Sequence, residues 1–319
     1  MASAVHDWES RIGRRLKLRD LHILSTVVQW GSMAKGASHL GMSQPAVSEA
    51  IAGLEEALHV RLLDRSPRGV EPTVYARALL KRGHVVFDEL KQGIRDIEFL
   101  ANPTVGEVRV GCPESMSAGF VSEVIERLSH RYPQVSVHVV TAQTGEQEFR
   151  ELRERSVDLM LGRILKPLED EEVAIEILCD DVFSVVAHAD SPWARRRKVT
   201  LAELSREPWI LFPANSISAS YIAEGFRVNG AALPTQCVTT FSLQLRMHLL
   251  ATRRYLTILQ DSVLRFSDRR WSLKALPIDL RIEPAPIAVF TLKGRTLSAV
   301  VQIFVEYARE VAKTMKGGA

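Results

Sequence analysis

The chain has 319 residues, enough for two or three domains with cores of their own. Its hydrophobic content of 46% and charged content of 25% are those of a soluble globular protein. A net charge of only +3 excludes a general nucleic-acid coat, which needs a broad basic field, but suits a small basic head on a near-neutral body.

The opening residues, Met-Ala-Ser-Ala-Val-His-Asp-Trp-Glu, lack an apolar core behind a basic start, so no secretory leader is predicted. Arg11, Arg14, Arg15, Lys17 and Arg19 then concentrate positive charge around the start of the first predicted helix, whose apolar stripe is Leu18, Leu21, Leu24 and Val28. A short helix follows, with Met33, Ala37 and Leu40 on one face. It ends in a tight turn at Gly41-Met42. Ser43 is a natural N-cap for the next helix, and Pro45 sits in its first turn. There Val47, Ile51, Leu54 and Leu58 recur at helical spacing. The stripes of the two helices are buried only against each other and the first helix. Three helices so arranged make a helix-turn-helix whose last member enters the major groove of DNA. Its outer face carries Gln44, Pro45, Ser48, Glu49 and Ala52. Gln44 suits adenine, Ser48 suits either base edge, and Glu49 accepts from cytosine. A plain helical hairpin with a solvated face has the same pattern, so the helices alone do not decide.

Residues 60–73 read as a two-stranded ribbon closed by Ser66-Pro67-Arg68-Gly69. Standing alone it would be a solvated basic turn. Beside the helix pair it is a wing that places Arg65 and Arg68 next to phosphates, which position a protein without reading sequence. Together, Leu-Arg-Asp-Leu at 18–21, Gly-Ser at 31–32, Met-Ser-Gln-Pro-Ala-Val-Ser at 42–48, Leu-Glu at 54–55 and Val-Arg-Leu-Leu-Asp-Arg at 60–65 resemble the amino-terminal domain of LysR-type transcriptional regulators. The resemblance implies that Ser43, Gln44, Pro45 and Ser48 face the groove and that Arg65 and Arg68 form the wing. Glu49 stands where the family has a basic residue, Ala50 and Ala52 where it has longer polar ones, and Gly36 where it favours alanine. The fold carries over; a detailed map of base contacts does not.

From Thr73, a predicted N-cap, a long helix carries Leu79, Gly83, Val86, Leu90, Ile94, Ile97 and Ala101 in steps of mostly three and four, up to Asn102-Pro103. This is a coiled-coil-like seam. A partner helix from a second chain covers it most economically, and the resemblance implies the same dimer. Packing on its own domain is the alternative.

After Pro103 strands and helices alternate. A strand at 105–111 precedes a helix from Ser117 to Tyr132 with Phe120, Val124, Ile125 and Leu128 as its stripe. Next come a strand at 135–141, a helix from Glu146 to Arg155 and a short buried strand at 158–162. This order predicts a parallel sheet with right-handed crossovers. A second set starts near 182–187 and continues through 209–212, and a strand at 287–291 leads into a last helix from Thr296 to about Ala312. The fold class is therefore α/β with an all-α winged helix-turn-helix head, and the remainder resembles the family's two-lobed, periplasmic-binding-protein-like effector domain. The expected divisions are 16–73 for the DNA-binding domain, 74–102 for the dimerising linker helix and 103–319 for the effector domain. Its first lobe spans about 103–178 and 282–319, its second about 179–281.

Ligands of open α/β sheets sit beyond the carboxyl ends of strands, against helix N-termini. The loop Cys112-Pro-Glu-Ser-Met-Ser117 fits that description, and its Ser115 and Ser117 hydroxyls suit an anionic or polyhydroxylated ligand. By resemblance the effector pocket is lined by Glu114, Ser115, Met116, Ser117, Thr144 and Arg163 from one lobe. Phe212, Asn215, Ser216 and Phe241 come from the other. For any one of these residues a cap or a core contact is the alternative.

The three cysteines are far apart and without Cys-x-x-Cys spacing, which predicts neither disulfide framework nor zinc site and suits a reducing cytoplasm. Cys112 reads as a buried core residue, with a reactive thiol as the rarer alternative. The nine histidines show no metal-binding spacing, and there is neither a nucleophile elbow nor a phosphate loop. Arg195-Arg-Arg-Lys198 reads as a solvated loop, or an aid to wrapping DNA. No stretch is long and apolar enough to span a bilayer. The expectation is a non-enzymatic LysR-type regulator that controls promoters in response to a small-molecule effector, with no cofactor. The effector class is a small carboxylate or a sugar-like metabolite. Its expected partners are double-stranded promoter DNA and further copies of itself, as homodimer or homotetramer. RNA polymerase is a further candidate partner, and no membrane is expected. The rival reading is a cytoplasmic solute-binding or enzymatic α/β protein whose amino-terminal helices serve assembly.

Overall fold

A computed structural model of the chain describes residues 16–66, 69–142, 148–266 and 271–316. The chain divides into two compact units between Lys91 and Gln92, within a long helix.

The first unit opens with α1 (Leu18–Trp30), α2 (Met33–His39) and α3 (Gln44–Leu58). Side-chain oxygens of Ser32 and Ser43 cap α2 and α3, accepting from Lys35 N (3.4 Å) and Ala46 N (3.3 Å). Gly41 takes φ +63° between them, a conformation that costs glycine nothing. Val47, Ile51 and Leu54 of α3 are buried with Met33 and Ala37, as their spacing requires, while Leu40 and Leu58 are half-buried. The α1 stripe differs from expectation. Leu21, Ile23, Leu24 and Val27 are buried, but Leu18 is 45% exposed, because it lies at the open end of the helix, one turn ahead of the first residue that is covered. Gly36 departs from the family's alanine for a visible reason: a Cβ there would stand 3.0 Å from Val27 Cγ2, so its absence lets α2 approach α1 closely. β1 (Leu63–Ser66) and β2 (Gly69–Pro72) form the expected antiparallel wing. Its root is fixed to α3 by Glu55, whose Oε1 accepts from Leu62 N (2.7 Å) and Leu63 N (3.2 Å).

Thr73 Oγ1 accepts from Ala76 N (3.2 Å) and caps α4 (Val74–Ala101), 28 residues that reach about 42 Å. The seam does not share one environment. Leu79 packs on the head's core, and Gly83 lies so close to Leu21 that a Cβ would meet its Cδ2 at 2.9 Å. From Val86 onward the seam is bare, with Leu90 47%, Ile94 57% and Ile97 67% exposed. Only this later stretch is open to a partner; the first two positions already have one in their own head.

The second unit contains two five-stranded sheets. In the first, β3 (Val105–Cys112) pairs in parallel with β4 (Gln134–Thr141) and β5 (Leu159–Arg163). Beyond β5 lie β12 (Ala285–Leu292) and β6 (Val173–Asp181), both antiparallel to their neighbours. In the second, β7 (Phe183–His188), β8 (Trp209–Leu211), β9 (Cys237–Thr239), β10 (Leu256–Gln260) and β11 (Leu273–Ala275) take the order β11-β7-β10-β8-β9. Each sheet has its own buried core, around Phe120, Val301 and Phe304 in the first lobe and Trp209, Phe226 and Ile258 in the second. The chain crosses between the lobes at 181–183 and again before β12.

Several boundaries differ from the sequence reading. Helical backbone begins at Glu114, three residues before the expected Ser117. It runs as Glu114–Met116, a π-helical turn Ser117–Val121, and α5 (Ser122–Arg131). Of the helix expected at Glu146–Arg155, only α6 (Arg150–Arg153) is helical among the described residues, because Phe149 turns to φ +45° and buries its ring on Phe290. β6 escaped notice: it is a sheet edge carrying Glu176 and Asp180 and lacks a continuous apolar run. The last helix is Ala299–Lys316, later than expected, since its cap comes from a distant residue: Asp96 Oδ1 accepts from Ala299 N (3.1 Å). Buried Asp158 accepts from Arg109 N (2.9 Å), Arg295 Nη2 (3.0 Å) and Arg95 Nη1 (3.3 Å), joining the end of α4 to the first lobe.

Candidate functional sites

On the head, Ser43, Gln44, Pro45, Glu49 and Ala52 are exposed and Ser48 is half-buried, so the outer face of α3 is as expected. Exposed Arg65 on β1 donates from Nη1 to Ser48 Oγ (3.4 Å), placing a wing guanidinium beside the first turns of α3. Arg68 lies outside the described residues, as do Arg11, Arg14 and Arg15. The Arg195–Lys198 run is exposed; Arg196 stacks on Trp193 (4.8 Å) and pairs with Glu203 (3.1 Å).

A cleft between the two sheets, open to solvent at its mouth, has a cavity volume of about 60 Å³. Five of the ten residues expected there line it: Glu114, Ser115, Arg163, Phe212 and Phe241. The others do not. Met116 is fully buried in the core of the first lobe, because one helical step turns it away from Ser115. Ser117 donates its hydroxyl to Glu114 O (2.8 Å) and serves its own backbone. Ser216 is buried as the N-cap of α8 (Ile217–Val228; α7 is Leu201–Leu204), accepting from Ala219 N (3.1 Å) and donating to Pro213 O (2.7 Å). Asn215 is exposed and outside the lining, and Thr144 lies outside the described residues.

Arg163, the last residue of β5, lines the cleft, and each of its three nitrogens already donates a hydrogen bond within the protein. Its Nε donates to Asp181 Oδ2 (2.7 Å), Nη1 to Ser115 Oγ (3.1 Å) and Nη2 to Ser262 Oγ (2.8 Å). Asp181, wholly buried, also accepts from Ser262 N (2.9 Å) and Ser262 Oγ (2.7 Å), where Ser262 belongs to α10 (Asp261–Phe266) beyond the second sheet. The backbone at Gly119 comes so near that a Cβ would stand 2.9 Å from Ser262 O. This cluster is a joint between the lobes.

The opposite wall belongs to α9 (Leu243–Ala251). The Glu114 carboxylate reaches across the cleft and accepts from Leu243 N (2.9 Å) and Gln244 N (3.0 Å), so the first lobe caps a helix of the second. One turn further, Arg246 is 2% exposed; its guanidinium lies 4.1 Å from the Phe212 ring centre. Its Nη1 reaches Ile258 O at 3.4 Å, and Nε has no hydrogen-bond partner among the described residues. Burial lowers its pKa to about 10, partly offset by the charge of Glu114, so it stays cationic at neutral pH. Gln260, 4% exposed at the end of β10, also lines the cleft with an unpartnered Oε1. Sequence reasoning missed both. The available signal was a single charged residue in Leu-Gln-Leu-Arg-Met-His-Leu-Leu-Ala, an otherwise largely apolar helix. Cys112 is buried in the core as expected, and burial pushes its thiol up to about 12.

A winged helix-turn-helix head followed by a two-lobed α/β domain with a polar cleft defines the class of DNA-binding regulators that carry a small-molecule-binding domain. The model of the LysR substrate binding domain matches residues 101–313, and that of the bacterial regulatory helix-turn-helix protein, lysR family, matches residues 18–77. The chain belongs to the LysR family: it is a DNA-binding transcriptional regulator and not an enzyme. It is 27% identical to the transcriptional regulator GbpR of Azospirillum brasilense over 89% of this chain and 83% of that one. It is 25% identical to TdcA of Escherichia coli over 92% and 93%. Full-length OxyR of Pseudomonas aeruginosa shares the fold, with a TM-score of 0.62, 19% identity and coverage of 93% and 95%. So does CbnR solved in complex with its target DNA, at 0.61, 19%, 93% and 100%. Among the described residues no helix is long and apolar enough to cross a membrane.

Proposed function

We propose that this regulator works in the cytoplasm as an assembly of at least two chains and answers a small molecule held between its lobes. The domains are 16–73 for DNA binding, 74–102 for dimerisation and 103–319 for the effector. The observation that carries the effector reading is the cleft itself. A buried guanidinium and a buried amide have polar atoms without partners there, and native interiors rarely leave such groups unmet. Ser115→Trp fills the cleft from the first lobe and changes no residue of the head. Operator binding is expected to persist while the promoter loses its response to the inducing metabolite. A reporter titration with the parent's midpoint and amplitude would place the effector elsewhere.

In the head, Ser43, Gln44, Pro45, Ser48 and Glu49 meet the groove, and Arg65 and Arg68 meet phosphates. Gln44→Ala is expected to lose about 1–3 kcal/mol of discrimination at one adenine while folding normally. Arg65→Ala should instead weaken binding to all sequences alike and lower the salt slope by about one. Competition assays with operator and random DNA at several salt concentrations separate the two. Equal discrimination by parent and Gln44→Ala removes Gln44 as a base reader.

A further inference from the structure

Resting on the effector reading above, we infer that the ligand is a small monocarboxylate with an apolar body, its oxyanion held by Arg246 and its polar edge met by Gln260. Three observations point there. The Arg246 guanidinium is buried, cationic and free of any carboxylate hydrogen bond among the described residues, and its unpartnered Nε belongs to a residue lining the cleft. The Phe212 ring covers one side of the group, with Cζ 4.1 Å from its centre, and a guanidinium presents its N–H fork to a planar carboxylate. The other cation of the cleft, Arg163, has its charge paired with buried Asp181, and each of its nitrogens already donates, to Asp181, Ser115 and Ser262. The N-terminus of α9 is likewise taken, by Glu114.

The rest of the wall selects the body. Phe183, Phe212 and Phe241, with Leu165, Ile217 and Leu243, surround the polar groups. A sugar would bring hydroxyls against these rings without partners, which is unfavourable. A phosphate dianion would bring two charges to one uncompensated cation, with the Glu114 carboxylate nearby. One negative charge on a hydrocarbon frame matches both the polar and the apolar parts.

The test uses the full-length protein and matched probes: benzoate with benzamide, hexanoate with hexanamide, and D-glucose, each read by calorimetry and thermal shift. At least one acid is expected to bind at about 10 mM or below, with its amide at least roughly thirtyfold weaker. Arg246→Met should abolish the acid's binding while melting no lower than the parent, because it removes an uncompensated buried charge. Arg246→Lys, which keeps the charge without the fork, should retain part of the binding. An amide that binds as well as its acid, undiminished acid binding by Arg246→Met, or no acid bound at that concentration overturns the inference. Glucose binding that Ser115→Trp blocks and Arg246→Met spares would overturn it while leaving the effector reading intact. Arg246-dependent acid binding that survives in Ser115→Trp, with its promoter response unchanged, would sink the effector reading instead.

Discussion

Replacing Asp181 with alanine is expected to destabilise the effector domain by about 3–5 kcal/mol, the usual consequence of removing one partner of a buried ion pair. Asp181 is wholly buried and receives three hydrogen bonds of 2.7–2.9 Å, from the Arg163 Nε and from the Ser262 amide and hydroxyl. Its loss strands the Arg163 guanidinium, only 7% exposed, without a counter-charge. The carboxylate also sits where the chain leaves the first sheet, and Ser262 lies in the first turn of the helix that follows β10 of the second, so both lobes lose the same anchor. Asp181→Asn keeps an acceptor but no charge and should fall between the two. Urea unfolding followed by circular dichroism checks the order. A midpoint for Asp181→Ala within the error of the parent would mean that the pair contributes nothing net.

Leu90→Asp is expected to act on assembly. The bare stretch of α4, Val86, Leu90, Ile94 and Ile97, is the apolar surface that a second copy of the helix covers in the proposed dimer. A carboxylate at its centre would be set among apolar side chains in that arrangement, and burying it unpaired is strongly unfavourable. Sedimentation should show smaller particles, and operator affinity should drop about 10²- to 10⁴-fold as two half-sites cease to be held together. Leu79→Asp makes the instructive contrast, because Leu79 packs on the head's own core and should unfold that head instead. An unchanged oligomer with unchanged affinity for Leu90→Asp would take α4 out of the interface.

The head was legible because its information is local. Caps at Ser43 and Thr73, a left-handed glycine and stripes of period 3.6 all lie within a few residues of what they specify. The alternation of strands and helices likewise set out β3, β4 and β5 of the first lobe, whereas the second lobe rested on the resemblance. The cleft was legible only in part, since its character depends on partners distant in sequence. Nothing near Arg163 announces Asp181 or Ser262, and nothing near Arg246 announces that no carboxylate bonds to it. A three-residue error in a helix start had a larger effect than its size suggests. Read as a loop, Glu114, Ser115, Met116 and Ser117 were equal candidates. As a helix, successive side chains diverge by about 100°, which sends Ser115 to the cleft and Met116 to the core. The seam shows the same limit: a heptad pattern reveals that a face is apolar but not which surface covers it.

The carboxylate that Glu114 lends to α9 gives the two lobes a tie of their own making before any visitor arrives. An acid that stops at Arg246 leaves that tie in place and reinforces it. A longer diacid, whose second carboxylate reaches the first N–H groups of α9, competes with Glu114 and loosens it. Because a ligand shifts an equilibrium only by its preference between states, the two acids push the same molecule in opposite directions.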